Sequence, residues 1–228
     1  MMMQDKRWYS ALNVVAHYYA DFEPGLAVKL PKKADEMWAT AVMLVGIQEI
    51  EKRQYWMQPV SDTEGSPDVR TITSIERDDD RARDYVSQDV EVVTYTRDSS
   101  GESLSDFLLR TKLSPEDAYD ELTTILVWAK GAVHSPSASE WRTALKDVKQ
   151  KTPVVLLGRA HPNEPMYSLI QVHPVPKQIL QFNLPDTLKA QRYTGVLNLN
   201  QGGKNRTERR EGEDHCPFES LGVECNQT

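Results

Sequence analysis

Pro153-Val154-Val155-Leu156-Leu157-Gly158 is an unbroken apolar run, with no polar residue on either face of an extended chain. A strand of that kind is covered on both sides, so layers of other structure must lie above and below it. Around it, β-branched segments are interspersed with segments of helical period. Together they predict an α/β (or α+β) fold with a mixed central β-sheet flanked by helices. At 228 residues the chain has room for one substantial core and is short for two full domains.

Trp8, Leu12, Val15, Ala16 and Tyr19 share a helical face within residues 7–20. Pro24-Gly25 and the basic stretch Lys29 to Lys33 then form a connector. From Ala34 to Lys52, Met37, Trp38, Ala41, Leu44, Val45 and Gln48 recur at three- and four-residue spacing, the strongest helical period in the chain. Tyr55 to Val60, Val69 to Ile75 and Val90 to Thr96 read as strands, with Ser61 to Ser66 a turn and Glu76 to Asp84 a solvated hairpin tip. A short helix is expected at Ser105 to Lys112 and another from Ser137 to Gln150, capped by Ser137 or Ser139. Thr123 to Trp128 reads as a buried strand on β-branched content, with a helix over 116–129 as the alternative. Tyr167 to His173 returns against the apolar run as a hairpin, and Lys177 to Leu184 follows as an edge strand between prolines 174, 176 and 185. The organisation expected is 1–33 as N-terminal helix and connector, 34–185 as a single core domain, and 186–228 as a polar, disordered tail.

Several function classes recede at this stage. No apolar run is long enough to span a bilayer, and the N-terminus carries no signal-peptide pattern. Two cysteines, Cys216 and Cys225, make no disulfide framework, so a reducing cytoplasm is the default location. With His215 they lack zinc-site spacing, and the five histidines form no HxH or HExxH pattern. His161 and His173 bracket the hairpin and are candidates to meet across it. The net charge of −7 disfavours broad nucleic-acid binding, because affinity for a polyanion comes largely from Lys and Arg. A local basic groove beside a metal remains compatible with that balance, as does a protein partner.

Chemistry concentrates in two segments. Gly65-Ser66-Pro67-Asp68-Val69 places a carboxylate at the start of one strand, and Asp89-Val90-Glu91-Val92-Val93 places another on the next, twenty-three residues after Asp68. Paired carboxylates on neighbouring strands suit a divalent cation, the usual agent of phosphodiester hydrolysis. Upstream, Glu49 and Glu51 stand in the last turns of the 34–52 helix, where acids oppose the macrodipole. An acid kept there has a reason beyond helix stability. Each residue also has a plainer role: Pro67-Asp68 is a common turn-exit dipeptide, and Glu91 suits the exposed face of a half-solvated strand.

The order of helix bearing an acid, strand, strand opening with Pro67-Asp68, and strand carrying Glu91-Val92-Val93 resembles the restriction-endonuclease-like fold, the PD-(D/E)XK nuclease superfamily, over residues 34–175. The resemblance implies a Mg²⁺-dependent nuclease with Asp68 and Glu91 as catalytic metal ligands. It further implies Glu49, preferred to Glu51, as the helical acid contributing outer coordination. A lysine that orients the attacking water is implied at position 93, which is Val93. Arg70, Lys112 and Lys130 are the candidates to replace it. The other reading is a catalytically inactive relative, or an unrelated α/β protein-binding module.

Overall fold

A computed structural model describes residues 8–22, 32–60, 67–76, 83–96, 101–113, 119, 122–130, 136–161, 164–191, 196–197 and 207–208. The expected turn at 61–66, the Asp78-Asp79-Asp80 tip and the two cysteines lie outside these residues, as does nearly all of the tail.

One mixed sheet organises the chain. Its strands are β1 (Trp8–Ser10), β2 (Tyr55–Pro59), β3 (Val69–Glu76), β4 (Arg83–Thr96), β5 (Thr123–Lys130), β6 (Val154–Arg159), β7 (Met166–His173), β8 (Lys177–Asn183), β9 (Val196–Leu197) and β10 (Thr207–Glu208). Their spatial order is β10-β9-β1-β2-β3-β4-β5-β6-β7-β8. From β2 to β4 the pairing is antiparallel, from β4 to β6 parallel, and from β6 to β8 antiparallel again. The expected α/β architecture is therefore observed.

The helices are α1 (Ala11–Phe22), α2 (Lys32–Glu51), α3 (Leu104–Thr111), α4 (Ala138–Ala144) and α5 (Leu184–Ala190). Alternation along β5 shows how they are distributed. Leu126 and Trp128 face a core built with α1, α2 and α5, whereas Ile125 and Val127 face one built with α3 and α4. Parallel neighbours need crossover connections, and α3 and α4 supply them on a single face. Residues 123–130 are a strand, as their β-branched content suggested. The apolar run at 153–158 becomes the interior strand β6, and Lys177 to Asn183 becomes the edge strand β8.

Helix α2 is the most buried of the helices. Thirteen of its twenty residues are buried, including all six that carry its helical period. A surface helix would bury one stripe; α2 buries nearly its whole circumference because α1 and α5 pack on the side away from the sheet. Gly46 marks the tightest approach: a Cβ there would stand 2.8 Å from Phe182 Cε1 and 2.9 Å from Leu169 Cδ1.

Four expectations shift. Trp8 lies on β1, where it extends the β2 edge, and α1 begins only at Ala11. Helix α4 carries the Ser137 capping box with Glu140 but stops at Ala144, because after Leu145 only Val148 continues the apolar stripe. Packing also runs past residue 185, since Leu184 and Leu188 of α5 are buried against α2. His161 and His173 stand at opposite ends of the β6–β7 hairpin: His173 pairs with Val154, and His161 follows the other end of β6.

Gly46→Val adds volume at the closest helix–sheet contact. We expect a loss of about 1–3 kcal/mol from overpacking, measured by urea unfolding. Stability equal to the parent chain would show that the α2–β7 contact can relax.

Candidate functional site

Strand β3 begins where β4 has half its length still to run. Val69 pairs with Val90, and both face the α2 layer. Side chains alternate along a strand, so Glu91 turns to the other face, while Asp68, just ahead of β3, stays at the end of the ladder within 4.0 Å of Lys32 on α2. The ladder stops at this point, and the Asp68 side chain takes over from it: Oδ2 accepts the Val92 N–H at 2.8 Å. The two acids singled out from sequence therefore meet in one cleft of ≈ 620 Å³, lined also by Lys32, Asp35, Glu36, Lys112 and Lys130.

Glu49 is not among them. It lies in the last turns of α2, 37% exposed and paired with Lys52 at 2.9 Å, while Glu51 accepts from the Tyr55 hydroxyl. The helical acids that reach the cleft are Asp35 and Glu36, the latter thirteen residues earlier and hence about 20 Å away along the axis. Chain direction explains the difference. Only residues 52–54 separate α2 from β2, so the helix end lies beside the strand start. The site is one strand length away, at the end of β2 and the beginning of β3. A helix leading into a strand through so short a turn must present its N-terminal acids there, and this signal was readable in the sequence.

Lysines answer the acids. Lys112, the residue following α3, places Nζ 2.5 Å from Glu91 Oε1 and 3.3 Å from the Tyr119 hydroxyl. Helix α3 crosses between β4 and β5, so its C-terminal end returns to the start of β5, where Thr123 pairs with Asp89. Lys112 thus arrives beside Glu91 from the crossover, while Val93 keeps its place on the strand. Lys130, at the end of β5, pairs with Asp35 and lies over the Trp128 ring. Arg70 is exposed and stands 3.9 Å from Asp89, away from the cleft.

Glu36 is the most buried charge of the group, at 3% side-chain exposure. Lys32 and Lys33 lie 3.0 and 2.7 Å from its oxygens, yet neither oxygen has a well-directed hydrogen bond. Compensation there is by charge alone. Lys33 also donates to the Asp68 backbone carbonyl at 3.2 Å, which ties the start of α2 to the start of β3.

Burial pushes the Asp68 carboxyl above its ordinary range. The Val92 N–H opposes that shift, the nearby Glu91 and Glu36 charges reinforce it, and Lys32 partly offsets it. For Lys112, burial alone would lower the pKa, but the Glu91 hydrogen bond and charge, with Tyr119, outweigh it and the net direction is upward. Lys112 therefore holds its proton at neutral pH.

The donor set fits a hard cation that retains most of its water. Asp68 and Glu91 supply two carboxylates to an open cleft, and Glu36 stands behind them without hydrogen bonds. Among the described residues, no three acidic, histidine or cysteine groups already form a ligand cage. Comparison of the chain with protein-family models, with curated proteins and with solved structures gives no match.

A group whose folded pKa is raised contributes stability below its unfolded pKa and loses it as pH rises through the folded one. Ionised Asp68 therefore weighs against folding at neutral pH. Asp68→Asn can keep the Val92 contact through Oδ1 without the charge. Its metal-free melting temperature should exceed that of the parent chain at pH 7, with the gap closing toward pH 3. A lower melting temperature at pH 7 would mean that the surrounding lysines already stabilise the charge.

Proposed function

We propose that the protein is a Mg²⁺-dependent phosphodiesterase acting on nucleic acid, a nuclease of the restriction-endonuclease-like class. One observation carries this reading: Glu36, Asp68, Glu91 and Lys112, spread over 76 positions of the chain, converge in one cleft. The element order supports it as well. Helix α2 bears the acid, β2 follows, β3 opens behind Asp68, and β4 carries Glu91.

Asp68 and Glu91 would hold the cation, with Glu36 assisting from behind through water. A bound Mg²⁺ would supply Lewis acidity and a water deprotonated near neutral pH. Lys112 keeps its proton, so its role is to stabilise charge developing on the phosphate; a neutral amine would be needed for it to act as general base. A lysine carried by α3 replaces the one missing at Val93. Lys130 and Lys32, at the mouth of the cleft, are placed to meet a phosphate oxygen.

The second reading is a catalytically silent binding module, and the charge balance favours it. Asp35, Glu36, Asp68 and Glu91 are matched by Lys32, Lys33, Lys112 and Lys130, so the cluster is neutral as it stands. A divalent cation would have to displace ammonium groups.

Calorimetry with Mn²⁺ on the parent chain and on Asp68→Ala/Glu91→Ala separates the two. The nuclease reading expects binding that the double variant loses; no heat from the parent chain would favour the silent module. Given activity, Lys112→Ala should lower kcat by roughly 10²–10³, the range for removing one preorganised charge stabiliser. Glu36→Gln should also reduce it, whereas Glu49→Gln should leave it unchanged. Equal losses at positions 36 and 49 would contradict the assignment of Glu36.

A further inference from the structure

A second cleft, of ≈ 320 Å³, opens on the α3/α4 face between the end of α4 and the end of β7. Its floor is apolar, with Trp141, Leu145 and Val172 buried. Its rim is basic: Arg142, Lys146, Lys149 and Lys151 are exposed there, and Asp147 is the single acid between residues 142 and 151. In a chain of net charge −7 this is a local reversal of sign. Among the described residues, no salt bridge engages Arg142, Lys146 or Lys149.

The rim is braced. The His173 ring nitrogen Nε2 lies 2.6 Å from the Gln150 carbonyl, and the Thr152 hydroxyl donates to the Tyr119 carbonyl at 3.2 Å. Tyr119 is also the residue whose hydroxyl meets Lys112, so it links the strip's neighbour Thr152 to a lysine of the first cleft.

Register fixes their separation. Glu91 pairs with Ile125, Ile125 with Val154, and Val154 with His173, a single row across β4, β5, β6 and β7. Three strand spacings of ~4.8 Å place the basic cleft about 14 Å from Glu91, across the same sheet. That distance is the span of a few successive phosphates of a nucleic-acid backbone.

We infer that the 142–151 strip is a nucleic-acid backbone contact, holding phosphates a few nucleotides from the one presented to Asp68, Glu91 and Lys112. This rests on the nuclease reading of the first cleft and names how an acidic chain takes a polyanionic substrate: by a confined basic track, without general positive charge. The strip lies outside the reacting centre, so it acts on binding of the polymer and leaves the chemistry alone.

The test uses the full chain with two probes. One is a fluorescent 20-nucleotide single-stranded DNA, followed by anisotropy in Ca²⁺. The other is the small diester bis(4-nitrophenyl) phosphate, hydrolysed with Mn²⁺. Arg142→Glu/Lys146→Glu/Lys149→Glu should weaken DNA binding at least tenfold. Neutralising three contacts should lower the slope of log K against log salt by about two, with small-diester hydrolysis unchanged. The milder triple glutamine variant should show an intermediate effect and stands in if charge reversal impairs folding. Unaltered DNA affinity in both variants overturns the strip while leaving the nuclease reading intact. So does displacement of the DNA by polyglutamate at equal charge concentration, which would assign the strip to an acidic protein segment. Absence of metal binding and small-diester hydrolysis in the parent chain overturns the first-cleft reading instead, and DNA affinity alone then decides whether the strip binds nucleic acid.

Discussion

The burial of α2 is the constraint on which the rest of the structure depends. A helix enclosed on nearly all sides cannot rotate or slide without opening cavities or clashes. Gly46 against Phe182 and Leu169 fixes its distance from the sheet. Gln48 fixes its far end, accepting the Tyr55 N–H and donating to the Gln191 side chain. Gln191 in turn donates to the Val45 carbonyl. With one end and one side fixed, the first turn has a single place to go. Lys32, Lys33, Asp35 and Glu36 are therefore delivered to the cleft by packing that occurs well away from it.

The parallel part of the sheet does the complementary work. The antiparallel pairs β2–β3, β3–β4, β6–β7 and β7–β8 join strands consecutive in the chain, with no helix between them among the described residues. Parallel neighbours need crossovers, and each crossover helix here returns its C-terminal end to the beginning of the next strand. For α3 that end is followed by Lys112. For α4 it is followed by the basic residues 145–151. Two functional assignments therefore rest on one topological fact, the pairing of β4, β5 and β6 in parallel.

Electrostatics sets the character of the cleft. Burial raises the Asp68 pKa, and the neighbouring carboxylates of Glu91 and Glu36 add to the shift. Lysines hold the group together, but the ammoniums facing Glu36 neutralise it without directed hydrogen bonds. Buried charge compensated in this way adds little net stability and is costly to break. Lys32 and Lys33 also open α2, where cations oppose the helix dipole. Neither their position at the helix start nor the undirected compensation of Glu36 is what helix stability alone favours.

Local information in the sequence went far. The apolar run at 153–158 required an interior strand, the period of 34–52 required a buried helix, and Asp68 and Glu91 were legible because each stands at a fixed place on a strand. Strand parity turned Glu91 out of the α2-side core, since alternation is a property of the backbone itself, and Asp68 met it by closing the end of the ladder on the Val92 N–H. Glu36 was missed because attention to the helix dipole favoured acids at the C-terminal end, while chain direction through the 52–54 turn selected the other end. Lys112 and the 142–151 strip depended on which strands pair in parallel and which face the crossovers take. Sequence determined the elements and the faces of their side chains, because period and alternation act over a few residues. The tertiary structure decided which ends of those elements meet, because strand order and crossover path are set by contacts between segments tens of residues apart.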